Sequence, residues 1–219
     1  MILWDWDKLK ILTKINIGIT GMPASIMQNL KAGETDNIDF NFQVTYNKYD
    51  AKCVVVTGMD TFKYYQIVDK EDKKVEFESA HTQVNNKDRE ISTAYSCHAW
   101  MNDGRLIVCT ELGEIMLLET DGSFKAYIPE SPCEDEGEFK IEAITAFTRG
   151  FIVSGEDKIY AYETTEDPNV PYRPIGMPTE YAKSTFMSIC LSQNEEFMYC
   201  ITAQKQLLKV DIPLYEGSE

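Results

Sequence analysis

The amino-acid sequence predicts an all-β protein, a propeller built from repeated sheets, and three observations carry that prediction. From Cys97 to Glu119 the chain runs through a strand (Cys97-His98-Ala99-Trp100-Met101), a turn (Asn102-Asp103-Gly104), a strand from Arg105 to Thr110, a tight turn at Gly113 and a strand from Glu114 to Glu119. Three short strands in meander order make up most of one propeller blade. The same phrase recurs along the chain, with second strands starting at Cys53, Leu106, Phe151 and Met198, at intervals of 53, 45 and 47 residues. In each repeat an apolar triplet precedes Thr57-Gly58, Thr110, Ser154-Gly155 or Thr202-Ala203, and a third strand begins shortly after.

Those intervals lie at or just above the roughly 40–45 residues of a WD40 blade, as insertions would make them. Taken in order, Ile2-Leu3-Trp4-Asp5 closes on a Trp-Asp pair, as the third strand of a WD repeat does, and Lys10 to Ile17 supplies an outer strand. A long connection follows between Gly18 and Asp39, in which Pro23 opens a short helix through Met27 and Leu30, with Gly33 just past its end. The next blade takes Phe40 to Tyr46, Cys53 to Thr57, Phe62 to Val68 and the alternating edge strand Lys74 to Ser79. His81 to Glu90 reads as a polar connector. The blade containing Cys97–Glu119 is completed by Phe124 to Ile128, beyond the Asp121-Gly122 turn.

After an acidic loop, Ile141 to Phe147, Phe151 to Ser154 and Lys158 to Tyr162 begin a third complete blade. Its outer strand falls beyond Asp167 among Pro168, Pro171, Pro174 and Pro178, so it is expected to be short or irregular. The last unit offers Phe186 to Leu191, Phe197 to Thr202 and Gln206 to Val210. The expected architecture is a single partial WD40-type β-propeller segment over 1–219, with three complete four-stranded blades and incomplete blades at both ends. Its pieces cover about 1–17, 40–79, 94–128, 141–178 and 185–211. Such a chain is expected to be part of a longer propeller protein, with other blades completing the ring; a closed four-bladed ring is the alternative.

Composition narrows the functional classes. With a formal charge of −15 and four arginines (Arg89, Arg105, Arg149, Arg173), the chain lacks the basic footprint of a nucleic-acid or anionic-membrane binder, and basic protein surfaces suit it better. No apolar run reaches the length of a membrane span. Of the six cysteines, Cys53, Cys97, Cys109, Cys190 and Cys200 lie in apolar runs and are expected to be buried reduced thiols, in a cytosolic or cytosol-connected compartment.

Catalytic motifs are absent: there is no Gly-x-Ser-x-Gly, Gly-x-Gly-x-x-Gly or Walker loop. His98 follows Cys97, but strand neighbours point to opposite faces, so a structural role is expected and not a metal pair. Asp69 to Asp72 suggests a calcium loop, yet Lys74 stands where that loop needs glycine, which favours a solvated turn. The acidic loop Glu134, Asp135, Glu136 and Glu138 is either a docking surface for a basic partner or a solvated face. Phe62, Tyr64 and Tyr65 are expected to divide between two packed faces, and Trp100 to anchor one blade on another. No catalytic, cofactor-binding or metal residue is assigned, and no cofactor is expected.

Cys97-His98-Ala99-Trp100, followed by Gly104-Arg105-Leu106-Ile107-Val108 and Gly113-Glu114-Ile115-Met116-Leu117-Leu118-Glu119, resembles a blade of the cilia- and flagella-associated protein 57 family, also called WD-repeat-containing protein 65. Leu3-Trp4-Asp5-Trp6, Val55-Val56-Thr57-Gly58 with Phe62-Lys63, Arg149-Gly150-Phe151 and Cys190-Leu191-Ser192 extend the resemblance over nearly the whole chain. The resemblance implies a non-catalytic scaffold of the ciliary axoneme. It implies inner dynein arm components as partners, with other blades or copies of the same family as further candidates, in the assembly or regulation of those arms and of motility. Neither nucleic acid nor membrane is an expected partner. The alternative is a generic cytosolic WD40 adaptor in a ubiquitin-ligase or trafficking complex.

Overall fold

The structure is a computed structural model that describes residues 1–5, 7–15, 43–70, 75–81, 84, 92–129, 139–175, 179–180 and 185–212. The strands form five antiparallel sheets in chain order. An opening ribbon pairs β1 (Ile2–Asp5) with β2 (Lys10–Lys14). The first full blade is β3 (Gln43–Tyr46), β4 (Cys53–Gly58), β5 (Thr61–Asp69) and β6 (Val75–His81). The second is β7 (Tyr95–Trp100), β8 (Leu106–Thr110), β9 (Ile115–Leu118) and β10 (Phe124–Tyr127). The third is β11 (Ala143–Phe147), β12 (Gly150–Gly155), β13 (Lys158–Thr164), β14 (Tyr172–Pro174) and β15 (Thr179–Glu180). A three-stranded sheet follows, β16 (Phe186–Leu191), β17 (Phe197–Thr202) and β18 (Leu207–Asp211).

The near-continuous apolar runs of β4, β8 and β12 follow from burial on both faces. Alternate residues of each strand serve different neighbours. Cys53, Val55, Phe62 and Tyr64 pack on Leu106 and Val108 of the second blade. Val54, Val56 and Tyr65 turn the other way, towards Met1 and Ile15. The aromatic run 62–65 is thus split between two interfaces, as its spacing predicts. Ile107 and Cys109 meet Phe151 and Val153 of the third blade, and Ile152 meets Phe186 and Met198. Phe151 stacks on Tyr162 at 4.8 Å and meets Tyr172 edge-on at 5.1 Å.

Trp100 bridges two blades. It is buried, meets Tyr64 edge-on at 5.9 Å and donates its indole N–H to Thr45 Oγ1 at 2.9 Å. Beside it, the Tyr64 hydroxyl donates to Thr120 O, and Gly122 sits over the Tyr64 ring. A Cβ at Gly122 would lie 2.7 Å from that ring, and its φ of +86° also favours glycine.

Several expectations are corrected. The outer strand of the third blade is two short pieces: β14 pairs with one end of β13 and β15 with the other. That sheet therefore has five strands where four are expected, its outer edge short and irregular as the proline content predicts. The edge strand expected at Lys74 to Ser79 runs on to His81, whose ring packs on Tyr64, so the connector starts later. The helix expected after Pro23 and the acidic loop at Glu134 to Glu138 lie outside the described residues.

Cys53, Cys97, Cys109 and Cys200 are buried free thiols, but Cys190 is exposed. Cys190 pairs with Tyr199 on a face of β16–β18 where Tyr199 is 42%, Ile201 51% and Leu207 68% exposed. The corresponding Val55, Ile107 and Ile152 of the full blades are 0% exposed, because a neighbouring sheet covers them.

The Ser154 hydroxyl is buried without a hydrogen-bond partner on the face of the third blade turned to β16–β18. Ser154→Ala should therefore raise stability by about 1 kcal/mol in urea unfolding, since an unsatisfied buried hydroxyl is removed. Trp100→Ala should lower it by roughly 3–5 kcal/mol, and a loss below about 1 kcal/mol would contradict its inter-blade role.

Candidate interaction site at the channel mouth

The first strands of successive sheets follow one another along the inside of the array. β3 meets β7 through paired hydrogen bonds from Gln43 Nε2 to His98 O (2.9 Å) and from His98 N to Gln43 Oε1 (2.7 Å). β11 packs against both β7 and β16. At one end of these strands lies a cavity of about 480 Å³ lined by Met59, Tyr95, Ser96, Glu111, Lys140, Glu142 and Met187. Its walls come from all three full blades and from β16, and its volume is in the range typical of ligand pockets.

Local backbone contacts fix this rim. Met59 bridges to Ala94, Glu111 N donates to Ala94 O, Glu142 N donates to Ser154 O, and Phe186 N donates to Glu156 O. Gly155 is required behind it, because a Cβ there would stand 2.0 Å from Lys140 O. Lys140 pairs with Glu142 at 3.0 Å. Burial alone lowers the Lys140 amine, but the Glu142 hydrogen bond and the fields of Glu142 and Glu111 outweigh it, so the group is raised. Glu111 enters no ion pair among the described residues, and Met59 and Met187 are 53% and 45% exposed.

The opposite end is occupied by ties between blades. The Tyr49 hydroxyl donates to Asn102 Oδ1 at 2.6 Å, Asn102 Nδ2 donates to Phe147 O at 3.2 Å, and Thr148 N donates to the Glu195 carboxylate. Polar groups there have partners within the protein, whereas the Glu111 carboxylate at the cavity enters no ion pair among the described residues.

His98 is away from the cavity and is structural. Its ring is buried between Thr57 Oγ1, 2.8 Å from Nδ1, and Thr45 Oγ1, 2.6 Å from Nε2. Thr45 Oγ1 also accepts the Trp100 N–H, so one hydroxyl joins the imidazole and the indole, and each ring nitrogen of His98 has a threonine hydroxyl within hydrogen-bond distance. Asp69 pairs with Lys52 at 3.3 Å, and residues 71–74 of that turn lie outside the described residues. Among the described residues no group of three or more His, Cys, Asp or Glu is gathered as for a metal.

Sequence reasoning missed the cavity residues because they come from four separate repeats. One local signal was available: Met59, an apolar side chain in the tight turn between two strands.

The fold and the mouth define the class, a WD40-type β-propeller. The C-terminal WD40 domain of Sif2 aligns with a TM-score of 0.53 at 12% identity, covering 78% of this chain and 46% of that one. Raptor from Chaetomium thermophilum aligns at 0.61 and 13%, covering 98% and 18%. No family model matches the sequence.

Among curated proteins, the chain is similar to cilia- and flagella-associated protein 57 A of Tetrahymena thermophila, 30% identical over 57% of this chain and 10% of that protein. It is also similar to cilia- and flagella-associated protein 57 of Mus musculus, 22% identical over its full length and 19% of that protein. The resemblance drawn from Cys97–Glu119 is therefore present in whole-sequence comparison, and the names of both relatives attach them to cilia and flagella. The chain spans a fifth or less of the length of these relatives.

Burial pushes the His98 imidazole down from 6.5 to about 3. The folded protein then refuses a proton that the unfolded chain accepts, so stability is full above about pH 6.5 and falls as the pH drops towards 3. Between pH 6.5 and about 5 this group should cost roughly 1–2 kcal/mol, and His98→Gln should flatten the urea-unfolding profile over that range.

Proposed function

We propose that the chain is a single propeller segment acting as a non-catalytic interaction module of the ciliary axoneme, contributing to the assembly or regulation of inner dynein arms. The observation that carries this reading is the mouth: a rim assembled from four repeats, with two exposed methionines and a carboxylate, Glu111, that enters no ion pair among the described residues. Such a rim suits recognition. Its charged groups among the described residues are the Lys140–Glu142 ion pair and Glu111. Similarity to proteins named for cilia and flagella supports the location.

A tagged copy should co-sediment with demembranated axonemes, and deletion should alter ciliary beating and the recovery of inner dynein arms. A protein confined to the soluble cell body, with unchanged beating on deletion, would overturn the axonemal assignment. Co-purification with ligase subunits and without dynein arms would favour a cytosolic adaptor.

A further inference from the structure

We infer that the mouth receives a cationic side chain, lysine or arginine, from an extended segment of the partner protein. This rests on the chain being an interaction module and names the chemistry that module would select. Met59 and Met187 stand on the wall as exposed thioethers, flexible apolar surface suited to the aliphatic stem of a long side chain. Glu111 supplies the charge: its carboxylate lines the cavity and forms no ion pair among the described residues. The other carboxylate, Glu142, is held by Lys140 at 3.0 Å, so the three charged groups that line the cavity among the described residues sum to one negative charge.

An anionic ligand would meet two carboxylates and a single amine already paired, and an apolar side chain would leave Glu111 desolvated without a partner. A cation satisfies both walls. The chain's formal charge of −15 favours the approach of basic segments to the protein as a whole.

The test is selection of short random peptides on the purified chain. Selected peptides should carry a lysine or arginine whose replacement by norleucine or Nε-acetyl-lysine weakens binding by about tenfold or more, the size of one charge-assisted contact. Glu111→Gln should weaken the same peptides to a similar degree, Glu111→Asp should retain most of the binding, and both variants should unfold thermally like the parent. Selected peptides without a required cation, indifference to Glu111→Gln, or no selected peptides would overturn the inference. Peptides that bind as expected while the tagged protein stays out of axonemes would leave this inference standing and remove the axonemal reading. An axonemal protein whose peptides ignore Glu111 would do the reverse.

Discussion

Face-to-face burial of each sheet on the next is the constraint on which the remaining structure depends. A strand such as Cys53–Gly58, buried along its whole length, has no solvent face to offer, so its blade cannot stand alone in water. Half of its side chains complete the core with Leu106 and Val108, and the other half close against Met1, Ile15 and Phe77. Because the contacts are between neighbours in sequence order, stability is built up blade by blade. The polar ties are subordinate to this packing but fix its register. Gln43 pairs with the backbone of His98 as another strand would, and Thr45 and Thr57 satisfy both ring nitrogens of the same residue. The equivalent position in β16 is Ile189, and there the facing Ser154 hydroxyl has no partner.

The two ends of the inner strands are chemically different. At one end, side chains of one turn bind the backbone or side chain of the next, as Asn102 does with Phe147, so polar capacity is used within the protein. At the other, backbone hydrogen bonds such as Glu111 N to Ala94 O hold the rim together with side-chain contacts such as Thr93 Oγ1 to Asp60 Oδ1 and the Lys140–Glu142 pair. Glu111 illustrates the separation: its backbone N–H binds Ala94, while its carboxylate lines the cavity. A rim tied by hydrogen bonds between neighbouring blades favours recognition, since less ordering remains to be done when a partner arrives.

Much of the fold was legible because strands buried on both faces announce themselves as short continuous apolar runs punctuated by turns, and four such runs recur at similar spacing. Gly113 and Gly122, both with positive φ, mark turns readable from residue type alone. Irregular edges were less legible. Composition announced that prolines would disturb the outer strand of the third blade, but not that Tyr172–Pro174 and Thr179–Glu180 would pair separately with opposite ends of β13. The structural role of His98 could be argued from strand alternation, but its partners lie 41 to 55 residues away and follow only from the way blades stack. The mouth was illegible for the same reason, since no two of its walls need be close in sequence.

Cys190 shows how residue pattern and environment separate. Its strand has the alternation of every other first strand, and from sequence alone it belongs with the buried thiols. Exposure comes from the far side: Tyr199, Ile201 and Leu207 occupy positions that the full blades bury completely, with no described sheet over them. The pairing of β17 with β18 is nevertheless regular, so strand register here is set by the inward residues Met198, Cys200 and Val210 packing on the third blade. One covered face is enough to specify the sheet. The other keeps residue types of an interior surface, and contiguous exposed apolar side chains of that kind are characteristic of a surface made to pack against another.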